Sequence, residues 1–163
     1  MKRHSTLYLT RGAMVAALYV ILTYISNIVG LANGAIQFRI SEALCILPVF
    51  FPEAVFGLAV GCAISNLITA CPLWDIVLGS AATLIGAFGA RALKFLPEKL
   101  KWLLGLPTVI SNAVIIPFVL MYVYEFPGSY FYFLLTVGLG ELVCALIGGA
   151  LLYYSIKKRF KSL

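Results

Sequence analysis

The sequence predicts an all-α membrane protein, a six-transmembrane-helix bundle with cytoplasmic N and C termini and a short second helix. Three observations lead there. Of 163 residues, 63% are hydrophobic and 11% charged, with a mean hydropathy of +1.04, where a water-soluble domain carries about 25% charged residues. Two prolines, Pro48 and Pro52, interrupt an apolar stretch too long for one crossing. The positive charges fall into three clusters that a six-helix thread brings to one side. At roughly 20 residues per crossing, six helices use most of the chain. Residues 1–163 therefore read as a single integral membrane domain, without room for a soluble enzyme domain.

The first helix runs from about Thr6 to Val29 behind Lys2, Arg3 and Arg11. It begins like a signal peptide, but it is long enough to span and no small-residue cleavage site follows a core of signal length. Gly30 to Phe38 (GLANGAIQF) has the Gly and Asn content of an ordered loop. As one α-helix, Ile40 to Thr69 would be about 45 Å long, against a hydrocarbon core of about 30 Å. Proline removes a backbone donor and disfavours helix in the preceding residue, so the stretch breaks at Phe51 and Pro52. That leaves a short second helix and a third starting at Pro52, with proline in the first turn. The fourth runs from about Leu73 to Leu96, the fifth from Trp102 to Tyr124 and the sixth from Tyr130 to Ile156.

Charge placement tests this thread, because basic residues concentrate on the cytoplasmic side. Broken at Pro52, the chain puts the N-terminal cluster, Arg91 with Lys94, Lys99 and Lys101, and Lys157 with Lys158, Arg159 and Lys161 all inside, leaving Arg39 outside. The second helix is then shorter than the roughly 17 residues a full crossing needs. The loop before it must dip into the membrane or rest on neighbouring helices, and non-helical backbone is tolerated there only against protein or a cavity.

A mid-helix charge in hydrocarbon costs roughly 2.5–3.5 kcal/mol on insertion scales, so each polar residue should face protein or a cavity. Their distribution is lopsided. Asn33, Gln37, Arg39, Glu42, Asn66, Trp74, Asp75, Glu125 and Tyr130 fall at or near the outer surface, and Asn112 and Glu141 near mid-membrane. The inner halves carry no carboxylate or carboxamide except Glu53 and Glu98, at cytoplasmic turns. A cavity open outward and closed inward produces that asymmetry. Structural roles compete at each position. Arg39 and Glu42 are three apart and can pair to fix the loop. Asp75 and Glu53 follow prolines in first turns, where an acid suits the helix dipole. Asn66 can bridge helices, and Glu141, beside the small run Gly138 to Gly140, can pair with Asn112. Trp74, Tyr124 and Tyr130 also suit an interfacial aromatic belt.

Cys45, Cys62 and Cys144 lie in apolar runs and Cys71 near a helix end, without a CxxC pair. They read as small buried side chains, not disulfide or metal ligands, and His4 stands alone on a basic tail. No metal site or cofactor is expected. Gly57 and Gly61 make a GxxxG, and Ala13, Ala16 and Ala17 beside Gly12 give the first helix a small, smooth face, for packing or for docking another membrane protein. No glycine leads into Gly-Lys-Ser/Thr, so the chain cannot hydrolyse ATP unaided.

The strings Gln37 to Leu44 (QFRISEAL), Phe56 to Leu67 (FGLAVGCAISNL) and Trp74 to Ala82 (WDIVLGSAA) resemble the QueT family of queuosine-precursor transporters, over nearly the whole chain. These are S components of energy-coupling factor (ECF) transporters. The resemblance implies a bundle of the ECF S-component type in a bacterial cell membrane. It would bind its ligand on the outer face and dock through the first helix, at Ala13 and Ala17, onto a coupling subunit with two ABC ATPases, which use the ATP. It also implies a 7-deazaguanine ligand, the aminomethyl or cyano precursor or queuine. Such a ligand suits this inventory. Aromatics can stack on the ring, carboxylates accept from the N–H edge or pair with an amine, and Arg or carboxamides donate to the carbonyl. Other vitamins would suit similar chemistry, so an S component for another vitamin stays open, as does a small self-contained secondary transporter. The latter commonly carries inverted repeats, and the halves show no self-similarity. An intramembrane enzyme using Glu42 and Glu141 lacks a His, Cys or Ser constellation. Nucleic acid is not an expected partner; membrane lipid is.

Overall fold

The computed structural model describes residues 2–32 and 37–161, and their regular elements are helical. Helix α1 is Lys2–Ile28. Helix α2, Ile40–Val49, is wound as a 3-10 helix, and α3 is Ala54–Ile68. Helix α4 covers Leu73–Ala92 and tightens into a 3-10 turn, Leu93–Phe95. Helix α5 opens as a 3-10 stretch, Glu98–Gly105, before the regular Leu106–Tyr122. Helix α6 runs through Tyr130–Glu141, loosens into a π-wound stretch, Leu142–Gly148, and continues as Gly149–Lys161.

Among the described residues, four runs are long and apolar enough to cross a membrane: Thr6–Ile28, Leu73–Phe95, Glu98–Tyr122 and Tyr130–Arg159. Helices α2 and α3 are shorter and equally apolar. The outward faces carry large apolar side chains such as Leu9, Leu73 and Leu151. So extensive an apolar surface suits lipid and not water.

Helices α2 and α5 differ in winding or extent from the sequence-based expectation. Helix α2 forms as a 3-10 helix, whose rise of about 2.0 Å per residue carries ten residues further than an α-helix would. Helix α5 begins at Glu98 rather than Trp102, because extended Pro97 (ψ 153°) ends one turn and starts the next. Between Val49 and Ala54 the helix is interrupted at the Pro52 turn. Arg91 Nη1 donates to the Pro48 carbonyl at 2.9 Å, satisfying an acceptor at the end of α2.

Among the described residues, α2 packs against α1, α3, α4, α5 and α6 and so lies at the centre. Its Leu44, Cys45, Ile46 and Leu47 join Tyr19, Leu58, Cys62, Leu104 and Tyr153 in the larger core. A second core lies between α5 and α6, where Ile116 and Leu120 meet Phe133 and Val137. Helices α1 and α3 cross closely because the GxxxG carries no side chains there. A Cβ at Gly57 would lie 2.5 Å from the Gly12 carbonyl oxygen, and one at Gly61 2.9 Å from that of Ala16.

One end of the bundle gathers the basic residues. Arg11 Nη1 pairs with Glu53 Oε1 at 3.3 Å and lies over the Phe51 ring, while Lys157 pairs with Glu98. The opposite end holds the α1–α2 loop and the turns 69–72 and 123–129.

Candidate ligand-binding site

The site is built around the start of α2, which α1 holds in place. Ser26 Oγ accepts from the Ile40 N–H at 3.1 Å, and the Thr23 hydroxyl donates to Ser41 Oγ at 2.7 Å. The preceding loop closes on itself. The Phe38 N–H donates to the Leu31 carbonyl at 2.8 Å, and Arg39 Nε to the Ala32 carbonyl at 3.0 Å. It also reaches down α6. Gly140 lies ten residues along that helix, about 15 Å from its start, and a Cβ there would overlap the Gln37 carbonyl oxygen. This packing carries Arg39 and Glu42 into the interior, 6% and 2% exposed. Glu42 is held at both oxygens: the Tyr19 phenol donates to Oε1 and the Cys45 thiol to Oε2, the latter at 3.1 Å.

A second group forms where α3 meets α4. Asn66 Nδ2 donates to the Asp75 carbonyl at 3.3 Å, and the Tyr124 hydroxyl donates to Asp75 Oδ2 at 2.7 Å. Burial first, then the bond to Asp75, pushes the Tyr124 phenol above its ordinary range and keeps it a donor. Gly79 leaves room for this contact, since a Cβ there would sit 3.0 Å from Asn66 Nδ2. Arg39 lies within electrostatic reach of Asp75 and Glu42, and Glu141 within reach of Glu42 and Arg39. Arg39 and these three carboxyl groups are all buried and within electrostatic range of one another's neighbours.

The cluster is not closed. Among the described residues, five buried polar atoms have no hydrogen-bond partner: Asn66 Oδ1, Thr83 Oγ1, Thr108 Oγ1, Asn112 Nδ2 and Glu141 Oε2. Each such atom costs about 1–3 kcal/mol of desolvation, and native interiors rarely leave them. They come from α3, α4, α5 and α6. Asn112 and Glu141 are hydrogen-bonding neighbours, but the contact does not reach a fully formed bond at Asn112 Nδ2 or Glu141 Oε2. Glu141 also ends the regular turn before the π-wound stretch, a helical irregularity common at functional sites.

The structure brings Gln37, Arg39, Glu42, Asn66, Asp75, Asn112 and Glu141 into the interior, all buried. Trp74 and Tyr130 do not join them. Trp74, beside Asp75 but on the outward face of α4, is 62% exposed. Tyr130 packs its ring on Phe118, with centroids 4.8 Å apart, and donates to the Val114 carbonyl at 3.2 Å. Asn33 lies outside the described residues. Tyr19, Cys45, Thr83, Thr108 and Tyr124 complete the cluster without having been expected in it. On α1, Ala16 is buried against Gly61, whereas Ala13 and Ala17 are exposed beside Val60 and Ile64 in a shallow groove. Among the described residues, no group of three or more His, Cys, Asp or Glu could hold a metal ion.

Apolar helices around a polar, partly unsatisfied interior define a multi-pass membrane protein. The chain belongs to the QueT transporter family, whose model matches residues 9–158. It is 37% identical over 86 residues to the queuosine precursor transporter QueT of Lactococcus lactis subsp. cremoris (strain MG1363), a stretch covering 52% of this chain and 50% of that one. The chain spans about half the length of this curated relative in the match. No solved structure matches it.

Proposed function

We propose that the chain is the substrate-binding S component of an ECF importer, capturing a queuosine precursor from the outer face. The observation that carries this reading is the set of buried polar atoms without partners, inside a chain of a transporter family. A flat deazaguanine has the N–H groups and carbonyl those atoms lack, and carboxyl groups outnumber cations in the cluster, which favours a donor-rich ligand. The gathering of basic residues at one end supports six crossings with both termini cytoplasmic, which would put the start of α2 toward the outer side. The exposed Ala13 and Ala17 groove supports docking onto a coupling subunit, and the absence of a Walker A pattern leaves ATP hydrolysis to two partner ATPases.

The test has two arms. Calorimetry on the purified chain should show 7-aminomethyl- or 7-cyano-7-deazaguanine binding without ATP. Uptake into vesicles should need the coupling subunit and ATPases as well. Uptake by the chain alone would overturn the S-component reading, and binding of neither base would overturn the ligand class.

A further inference from the structure

We infer that Asn112 and Glu141 together read a lactam edge of the ligand, a carbonyl acceptor beside a ring N–H donor, and not an amine substituent. This rests on the deazaguanine reading above and assigns which part of that molecule faces α5 and α6. Asn112 and Glu141 are 4% and 7% exposed, and Nδ2 of one and Oε2 of the other lack partners. Their side chains are hydrogen-bonding neighbours without a fully formed bond between them, and α5 and α6 approach closely beside them, a Cβ at Gly138 lying 3.7 Å from that of Ala113.

The chemistry of the two atoms limits what satisfies both. A carboxamide nitrogen only donates, and Glu141, taken with its ligand as a carboxylate within electrostatic reach of Arg39, only accepts. The partner must therefore present an acceptor next to a donor. A guanine-type lactam does so: its carbonyl accepts from Nδ2 while its ring N–H donates to Oε2. An ammonium has three donors and no acceptor, and would leave Asn112 Nδ2 buried and unpaired. Glu42 makes no such demand, because each of its oxygens already accepts from a donor, Tyr19 or Cys45.

The experiment measures calorimetric affinities of 7-cyano- and 7-aminomethyl-7-deazaguanine for the wild-type chain, Glu141→Gln and Asn112→Leu. Both ligands should weaken by the same factor in each variant, about 10- to 100-fold. A Glu141→Gln loss confined to the aminomethyl ligand, or unchanged affinities in a folded variant, overturns the inference while the deazaguanine reading stands. Wild-type chain that binds neither base overturns both. A second measurement needs no variant: 7-cyano-7-deazaadenine reverses the donor and acceptor, and should bind the wild-type chain at least ~100-fold more weakly than the guanine form. Comparable binding of the two would overturn the assignment.

Discussion

Glu53 and Glu141 are both buried acids in an apolar bundle, 4% and 7% exposed, and they differ in what surrounds them. Glu53 sits at the basic end, where Arg11 reaches across from α1 to meet it at 3.3 Å. Glu141 sits among Asn112, Glu42 and Arg39, with one oxygen unpartnered. The same residue type holds helices together in the first place and is left open in the second. Burial alone does not mark a binding residue. The proposed site adds to burial an unmet hydrogen-bonding demand, a cost that a bound ligand would relieve.

The largest effect on this contrast is expected at Gly140. Any side chain there meets the Gln37 carbonyl, so Gly140→Leu should displace the loop, cost about 1–3 kcal/mol through overpacking and abolish deazaguanine binding in calorimetry. Unchanged binding would mean the loop does not shape the site. Next is Tyr19→Phe. It strips Glu42 Oε1 of its donor and should lower the melting point by the equivalent of about 1–3 kcal/mol. A stability unaffected by the change would remove Glu42 from the satisfied side of the comparison.

How much of this was legible depends on what each residue costs to insert. Apolar run lengths and the position of Pro52 carried the helical segments, because a proline without its N–H and a crossing of fixed thickness leave few alternatives. Arg39, Asn66, Asp75, Asn112 and Glu141 stood out because charges and carboxamides are expensive in hydrocarbon. Tyr19, Thr83 and Thr108 did not, since hydroxyls pass easily inside an apolar run and only contacts distant in sequence give them a role. The Tyr19–Glu42 bond joins residues 23 apart and the Tyr124–Asp75 bond residues 49 apart. Periodicity carries no trace of either. Arg11–Glu53, 42 residues apart, was hidden likewise, so Glu53 read only as a helix-dipole residue. Trp74 misled because an aromatic beside Asp75 suggests stacking, while one step along a helix turns a side chain by about 100°.

Smaller effects sharpen the comparison. Tyr124→Phe removes one bond to Asp75 and should cost about 1 kcal/mol, read as a several-fold loss of affinity if Asp75 belongs to the site. Glu53→Gln should cost less than about 1 kcal/mol, since Arg11 is 47% exposed and solvent screens the pair. Its deazaguanine affinity should match wild type, and a clear loss would mean the basic end communicates with the cluster.

The central claim is that Glu141 carries a polar demand the folded chain does not meet, whereas Glu53 carries one that it does. The ligand-free melting of Glu141→Met beside that of Glu53→Met tests it most directly. Removing an unsatisfied buried oxygen should leave the first variant as stable as wild type or more stable, by up to about 1–3 kcal/mol, while the second melts slightly lower. Destabilisation of Glu141→Met to the extent of Glu53→Met or beyond would contradict the account and make Glu141 a packing residue.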